Sequence, residues 1–306
     1  MMPAASSRTD RWRLLLVGLP ALALVILFVA PTLIMAVATF QYPDDFGGLA
    51  PLWESTAEGL QFNLSLENYQ RVAEDLVYLG VFARSLGYAA LVTLICAVLA
   101  FPLALAIAGA PARWRDLLLL LVILPFWSNF LIRVYAWVML LGPEGALTRS
   151  INTVVEALGG EPLRLLYTPA AVLLGLVYVH LPFMILPLYA NLRRHDPAWL
   201  QAARDLGARP MTGFFRITLP MAVPGLVAGA LLVFIPALGA FAVPDILGGA
   251  KGSMIGNLIS DQFLAARDWP FGSTLAILLT LAVVALAGLG AAAAARLPGA
   301  RKDAEV

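Results

Sequence analysis

The chain has 306 residues, of which 61% are hydrophobic and only 13% charged, with a formal net charge of +1. Those proportions, and a mean hydropathy of +0.85, exclude an ordinary soluble domain, give no basis for nucleic-acid binding, and describe a chain that lives in a membrane. The only cysteine, Cys96, lies in an apolar run, so an intrachain disulfide is excluded too.

Six apolar runs are long enough to cross a hydrocarbon core of about 30 Å, which takes roughly 20 helical residues. They run approximately Leu14–Phe40, Val81–Ala110, Leu117–Leu141, Thr168–Ala190, Met221–Val243 and Ser273–Ala295. The first follows Arg11 and Arg13 and contains Ala36-Val37-Ala38, which imitates a signal cleavage site. Its apolar region is too long for a secretory signal, whose hydrophobic core spans roughly 7–15 residues, so it predicts a retained anchor.

After the first run comes a loop of about 41–80, in which "LSLENYQRVAEDL" predicts a short helix capped by Ser65 with Tyr69 and Val72 on one face. Runs two and three are joined by a short segment holding Arg113 and Arg115, and a loop of about 142–167 follows. A segment of about 191–220 separates runs four and five, and a loop of about 244–272 separates five and six. With both termini in the cytoplasm, the cytoplasmic segments hold 13 of the 20 Lys and Arg, among them Arg8, Arg193, Arg194, Arg296, Arg301 and Lys302. The loops of about 41–80, 142–167 and 244–272 are then external and carry most of the acids. The expectation is an all-α polytopic membrane protein with six transmembrane helices, forming a single domain over residues 1–306, with no internal repeat.

The segment of about 191–220 is the most informative. Asp196-Pro197 is a helix start, with Asp as N-cap and Pro at the first helical position. Trp199, Leu200 and Ala203 give an apolar face, and Gly207 ends the helix. Pro210 opens a second short helix carrying Phe214, Phe215 and Ile217, and Leu219-Pro220 turns the chain back into the membrane. On residue types alone, two uses are open: an arginine-rich amphipathic surface suits anionic headgroups, and it equally suits a soluble partner.

The spacing resolves the choice. Gln201-Ala202-Ala203, three residues, Gly207, nine residues, Ile217, Thr218 and Leu219-Pro220 resemble the cytoplasmic "EAA" loop of type I ABC importer permeases, with Gln201 where that pattern has Glu. The resemblance implies the type I ABC importer permease fold and makes the segment a coupling helix seated on a separate ATPase. It assigns Gln201, Ala202, Ala203, Asp205, Gly207, Ile217, Leu219 and Pro220 to ATPase coupling. "LPFWSNFLIRVYAW" (Leu124–Trp137), "GLVYVHLPFMILPLYA" (Gly175–Ala190), "DLGARP" (Asp205–Pro210), and the stretch from Leu232 to Pro270 resemble the permeases of spermidine/putrescine importers in particular, as does "SLENY" (Ser65–Tyr69). That subgroup implies polyamine import, or import of another small cationic or amine solute. Its partners are two copies of an ABC ATPase, a second permease, and a periplasmic or extracellular solute-binding protein, all at a bacterial inner membrane. The sequence contains no G-x-x-x-x-G-K-[ST] phosphate loop, and "GGAKGS" at Gly248–Ser253 has the wrong intervals. No cofactor is therefore expected in this chain, with ATP and Mg bound by the partner ATPase, and the chain is a transport subunit rather than an enzyme.

Candidate path residues follow from what a polycation needs, namely carboxylates and aromatic faces. Asp245 is either a cation contact at the outer end of run five or a surface Asp that caps the following segment. Trp127 and Tyr178 adjoin Pro125 and Pro182, which free carbonyls inside the membrane, whereas aromatics at such depth otherwise serve as anchors or packing. Arg133 lies within run three and is expected to snorkel outward or pair with a partner subunit, and His180 to pack within a helix pair. Arg267, Asp268 and Trp269 are candidate contacts for the binding protein, although Asp268 also reads as an ordinary surface acid. The residues offer no metal-ligand spacing and no Ser/His/Asp set, which weighs against an intramembrane enzyme. An ion channel would have no use for the coupling segment.

Overall fold

The computed structural model describes residues 7–56, 59–196, 198–249 and 253–295, and of 7–15, 54–56, 59–61 and 291–295 the backbone alone. Pro197, Lys251, Arg296, Arg301 and Lys302, which entered the reading above, lie outside the described residues. Twelve helices and one hairpin are described: α1 Ser7–Ala38, β1 Trp53–Thr56, β2 Gly59–Phe62, α2 Glu67–Glu74, α3 Leu76–Gly109, α4 Ala112–Ile123, α5 Phe130–Leu141, α6 Ala146–Ala157, α7 Pro169–Leu192, α8 Ala198–Asp205, α9 Pro210–Gly213, α10 Leu219–Leu238, α11 Ile255–Leu264 and α12 Trp269–Ala295. Six helical stretches among the described residues are long and apolar enough to cross a membrane: Leu16–Ala38, Leu76–Gly109, Phe130–Ala157, Pro169–Leu192, Pro210–Leu238 and Trp269–Gly290. The number is the expected one, but two of the boundaries move for physical reasons.

The first departure is in the third run, which is broken rather than continuous. After α4, Leu124–Trp127 tightens into a 3-10 turn with Pro125 at its start, Ser128 is extended, and Asn129 begins α5 afresh. The Asn129 Oδ1 accepts the Leu131 N–H at 2.8 Å, and the Ser128 hydroxyl donates to the Pro125 carbonyl at 2.8 Å. The break at Ser128 leaves helix-end groups on both sides, and the Ser128 and Asn129 side chains satisfy the Pro125 carbonyl and the Leu131 N–H.

The second departure is at Leu219-Pro220, where no turn occurs. Helix runs on from Pro210 through a widened π segment at Phe214–Thr218 into α10. The Leu219 N–H reaches the Phe214 carbonyl five residues back, so the carbonyl of Arg216, which Pro220 has no N–H to meet, falls inside the wide turn. In the segments expected as loops, the β1–β2 hairpin pairs Trp53 with Phe62, and α6 and α11 add helix that the sequence reading left as loop.

By packing, the chain divides into two compact units. One takes in the chain up to Leu76 together with Ile259–Leu278; the other runs from Val77 to Leu258 and resumes at Leu279. In the first unit, α2 is capped by Ser65, whose Oγ accepts the Glu67 N–H at 3.0 Å, and Val72 is buried as expected. Asn68 does more than either, donating to the carbonyls of Thr39 and Gln41 at 3.0 and 3.1 Å, while the Tyr69 hydroxyl donates to Thr39 Oγ1 at 2.9 Å. Asp268 accepts the Phe271 N–H at 3.1 Å to start α12 and pairs with Arg71 of α2 at 3.1 Å.

The second unit is organised by α7 against α10. Along α10, Ala222, Gly225, Gly229, Val233 and Ala237 are buried at steps of three and four, which makes one narrow stripe of small residues. A Cβ at Gly225 would sit 2.6 Å from the Asn191 side chain, and one at Gly229 would sit 2.6 Å from Met184 Sδ and 3.3 Å from the Met184 backbone. In hydrocarbon no water-driven force holds helices together, so close backbone approach through small residues supplies the van der Waals contact that does. On α3, Ala89, Val92, Cys96, Ala100 and Ala104 present a similar fully buried stripe, in which the Cys96 thiol lies 3.8 Å from the Val177 carbonyl. Gly225→Val and Gly229→Leu should each lower the thermal stability of the detergent-solubilised protein by about 1–3 kcal/mol through overpacking. Gly288→Leu, where a Cβ meets nothing within 4 Å, should leave it unchanged. Thermal unfolding of the three variants checks this.

Candidate functional site

The elbow between α7 and α10 is built from local rules. Asp196 Oδ1 accepts the Ala198 N–H at 2.9 Å and caps α8, the role its sequence position predicts. At the other end Gly207 has φ +83°, its N–H bonds the Arg204 carbonyl at 2.9 Å, and the Ala208 N–H bonds the Ala203 carbonyl at 2.9 Å. This pair of bonds is a Schellman stop, which needs a left-handed residue at the position Gly207 holds. Pro210 then starts α9, and a Cβ on Gly213 would come 2.9 Å from Leu200 Cδ1, so the two short helices close on each other tightly.

The expected apolar face of α8 splits in two. Leu200 and Ala203 turn inward with Phe214, Gly213 and Leu105 of α3, around a shallow cavity of about 210 Å³. Trp199 turns outward and is exposed, because it lies about 100° around the helix from Leu200. Phe214 meets Phe101 of α3 edge-on at 5.3 Å and Phe215 at 5.0 Å, which bolts the elbow to the end of α3. Gln201, Ala202, Asp205 and Gly207 lie on the exposed side, joined by Trp199, Met211, Phe215 and Leu206, the last 90% exposed. Ala203, Ile217 and Leu219 are half-buried, and Pro220 is exposed. Sequence spacing had missed Leu206 and Met211, which carry no motif signal and stand out only as large apolar side chains left uncovered.

His195, between α7 and α8, is half-exposed. Burial holds its imidazole below its ordinary pKa of 6.5, against a backbone hydrogen bond with Met221 that raises it. His180 behaves as a packing histidine, with Nδ1 2.8 Å from the Leu176 carbonyl.

At the other end of the same unit, Asp245 sits in a widened turn, Pro244–Gly248, that packs against α5 and α7. The turn is held from all sides. The Tyr167 N–H donates to the Leu247 carbonyl at 3.0 Å, the Ile255 N–H to Ser85 Oγ at 2.8 Å, and Asn257 Nδ2 to the Phe241 carbonyl at 2.8 Å. Gly175 and Gly248 let Leu247 and Val172 approach where any Cβ would collide. Val243, Leu247, Met254 and Ile255 are buried, whereas the Asp245 side chain is exposed and, among the described residues, has no ion-pair partner. An exposed carboxylate on such a turn has the charge to meet a cation. Ser85, Tyr167 and Asn257 make it rigid, and none of the three has a local sequence signature.

Trp127 is 75% exposed and closes the 3-10 turn at the break before α5. Tyr178 is half-buried and stacks edge-on against Trp137 at 5.5 Å, so one ring of that pair braces the other. Arg133 places its guanidinium over the Phe126 ring at 5.6 Å, and Phe126 in turn meets Phe183 of α7 edge-on at 5.2 Å. In the first unit, Arg267 has φ +57° and gives its carbonyl to the Gly48 N–H at 3.0 Å, and Asp268 is committed to Arg71 and to capping α12. Trp269 remains exposed at the head of α12. Among the described residues no cluster of His, Cys, Asp and Glu could hold a metal ion.

Residues 77–297 match the family described as binding-protein-dependent transport system inner membrane component. The chain is 45% identical to the spermidine/putrescine transport system permease protein PotB of Salmonella typhimurium (strain SL1344), over 76% of this chain and 80% of that protein. Its fold resembles a bacterial ABC transporter involved in the import of the acidic polysaccharide alginate, with TM-score 0.73 and 16% identity, over 94% of this chain and 97% of that one. It also resembles a bacterial alginate ABC transporter solved in complex with an alginate pentasaccharide-bound periplasmic protein, with TM-score 0.71 and 16% identity, over 92% and 93% of the two chains.

Proposed function

The chain belongs to the family of binding-protein-dependent transport system inner membrane components, and on that premise we propose that it is the membrane-spanning permease subunit of an ATP-driven importer of the polyamines spermidine and putrescine. It is a multi-pass inner-membrane transport subunit and not itself an enzyme. The observation that carries the cargo is the 45% identity to PotB over three quarters of the chain. An exposed carboxylate on a rigid turn suits an ammonium group and supports it.

Its partners are an ABC ATPase, docked in two copies, a second permease, and a solute-binding protein delivering cargo from outside. ATP and Mg belong to the ATPase, as the missing phosphate loop in this sequence implies. Both termini face the cytoplasm, on the distribution of Lys and Arg. The exposed side of the elbow, Gln201, Ala202, Asp205 and Gly207 with Trp199, Leu206 and Met211, seats in the ATPase. Ala203 packs that helix onto α9, and Ile217, Leu219 and Pro220 carry it into the span. Gln201 keeps hydrogen-bonding capacity without charge, which shifts the burden of docking to the apolar side chains around it. On the outside, Arg267 and Trp269 meet the binding protein, with Asp268 fixing the backbone that presents them.

Transport follows by alternating access. When ATP closes the ATPase pair, the elbow moves, and two rigid links carry the motion onward: the Phe214–Phe101 contact to α3 and the unbroken helix from Pro210 into α10. Because α10 packs closely on α7 at Gly225, against the Asn191 side chain, and at Gly229, against the Met184 side chain and backbone, they move together and take the Asp245 turn with them. Trp127 and Tyr178 offer π faces along the route, and hydrolysis resets the cycle.

Three outcomes are expected. ATP hydrolysis by the complete complex in liposomes, with its binding protein present, should be stimulated by putrescine or spermidine and not by amino acids or sugars; stimulation by a different amine would keep the permease and replace the cargo. Asp245→Asn should raise the half-saturating polyamine concentration for uptake about two- to fivefold, the range of a partly exposed charge pair, and unchanged uptake kinetics would return Asp245 to an ordinary surface role. Gly207→Val forces a branched side chain into left-handed backbone at a cost of roughly 1–2 kcal/mol, and should lower cargo-stimulated hydrolysis about tenfold while membrane insertion persists. Gly207→Asn, which tolerates that conformation, should stay near wild type.

A further inference from the structure

The first turn of α11 ties together two parts of the second unit that are distant in sequence. The Ser85 hydroxyl of α3 donates to the Val81 carbonyl at 2.8 Å, so its hydrogen is committed within its own helix and its oxygen is left to accept. That oxygen takes the Ile255 N–H at 2.8 Å, one of the donors that a helix start cannot satisfy internally. Ser85 and Ile255 are both fully buried. The same turn is fastened on its other side. Asn257 Oδ1 accepts the Met254 N–H at 3.1 Å while its Nδ2 donates to the Phe241 carbonyl at 2.8 Å, and that carbonyl also accepts the Asp245 N–H at 3.0 Å. Gly256 brings the turn so close to the end of α10 that a Cβ would lie 2.6 Å from the Gly239 and Ala240 carbonyl oxygens.

We propose that Ser85 is a positioning residue for transport: it closes a frame in which α3 and α10, driven together by the elbow at one end, are rejoined at the other through the first turn of α11. The inference rests on the reading of the elbow as the ATPase contact. At the elbow end, Phe101 of α3 meets Phe214 edge-on at 5.3 Å, and helix continues from Pro210 into α10. Between Ser85 and Phe101 the helix has no proline, since Pro102 follows that stretch. It spans about 24 Å. Ala89, Val92, Cys96 and Ala100 are fully buried along it, which holds the arm against its neighbours. With the Ser85 bond made, displacement of α3 reaches the turn that carries Asp245. With it cut, α10 alone drives that turn, and a buried Ile255 N–H is left without its acceptor.

The test is a double-variant cycle in the complete complex in liposomes, read as the ratio of ATP hydrolysis with spermidine-loaded binding protein to hydrolysis without it. Ser85→Ala should lower the ratio about threefold, the scale of one neutral hydrogen bond. Phe101→Leu, which removes the ring edge at the other end of the arm, should lower it about as much. Sites this far apart ordinarily act independently, so two unrelated faults would multiply to about ninefold, whereas cuts at both ends of one arm should leave the double variant at about threefold. Their effects on thermal stability should add. Val92→Ala, a buried truncation midway along α3, should lower stability and keep the wild-type ratio. Asn257→Ala cuts the same link on its far side, should reproduce the Ser85→Ala ratio, and replaces that variant if it does not assemble. A wild-type ratio in Ser85→Ala, a multiplied loss in the double variant, or an equal loss in Val92→Ala overturns the proposal. A wild-type complex that spermidine does not stimulate removes both the cargo reading and the ground for this inference.

Discussion

A peptide group in hydrocarbon has no water to turn to, so every N–H and C=O of this chain inside the membrane must find a partner within the protein. The sequence strains that rule, because prolines lie inside α1, α3, α7 and α10 and within the third run. At three prolines the structure shows how the backbone is accommodated. Ser128 and Asn129 close the backbone after Pro125, the helix widens ahead of Pro220, and it widens again at Pro244. Each falls at a part to which the proposed transport cycle gives a role: the break that exposes Trp127, the root of the elbow, and the turn that presents Asp245. The proposed functional geometry is in this sense the residue of backbone satisfaction.

Rigidity comes from the complementary choice of small side chains. The buried stripe from Ala222 to Ala237 and the one from Ala89 to Ala104 bring helix backbones close, and Gly175 and Gly248 do the same for the Asp245 turn. A bundle packed this way has few soft joints, so displacement at one end travels to the other. At the Gly207 elbow the requirement is different: nothing lies within 4 Å of a would-be Cβ, so glycine is set there by the left-handed backbone that the two Schellman bonds close, and not by packing.

How much of this was legible in the sequence depended on the range of the interaction. The number of spans, the Ser65 and Asp196 caps, and the Gly207 stop are local, set by composition and by residues within a few positions, and they stand as the pattern has them, although the third span shifts from Leu117–Leu141 to Phe130–Ala157. The interrupted third span was written locally as well, in Pro125, Ser128 and Asn129, but hydropathy averaging runs over three residues that matter one by one. The roles of Ser85, Asn68 and Asn257 were illegible because each bonds a backbone group that only the folded chain brings near, 170 positions away for Ser85 and Ile255. Trp199 shows the opposite error. It belongs to the apolar count of α8, yet on a helix of eight residues a single step around the axis separates the packed side from the bare one.

The Arg71–Asp268 pair joins residues 197 positions apart, and the unit it closes is built from the beginning of the chain and from Ile259–Leu278. During synthesis the ribosome delivers α1, the hairpin and α2 long before the head of α12 exists. The first span must therefore wait in the bilayer, inserted but without the neighbour that completes its outer end, while all the intervening helices are threaded past it. Biogenesis of this protein has a late closing step. A chain truncated before Ile259 has its first span but lacks the residues that complete that unit, however well the later spans have inserted.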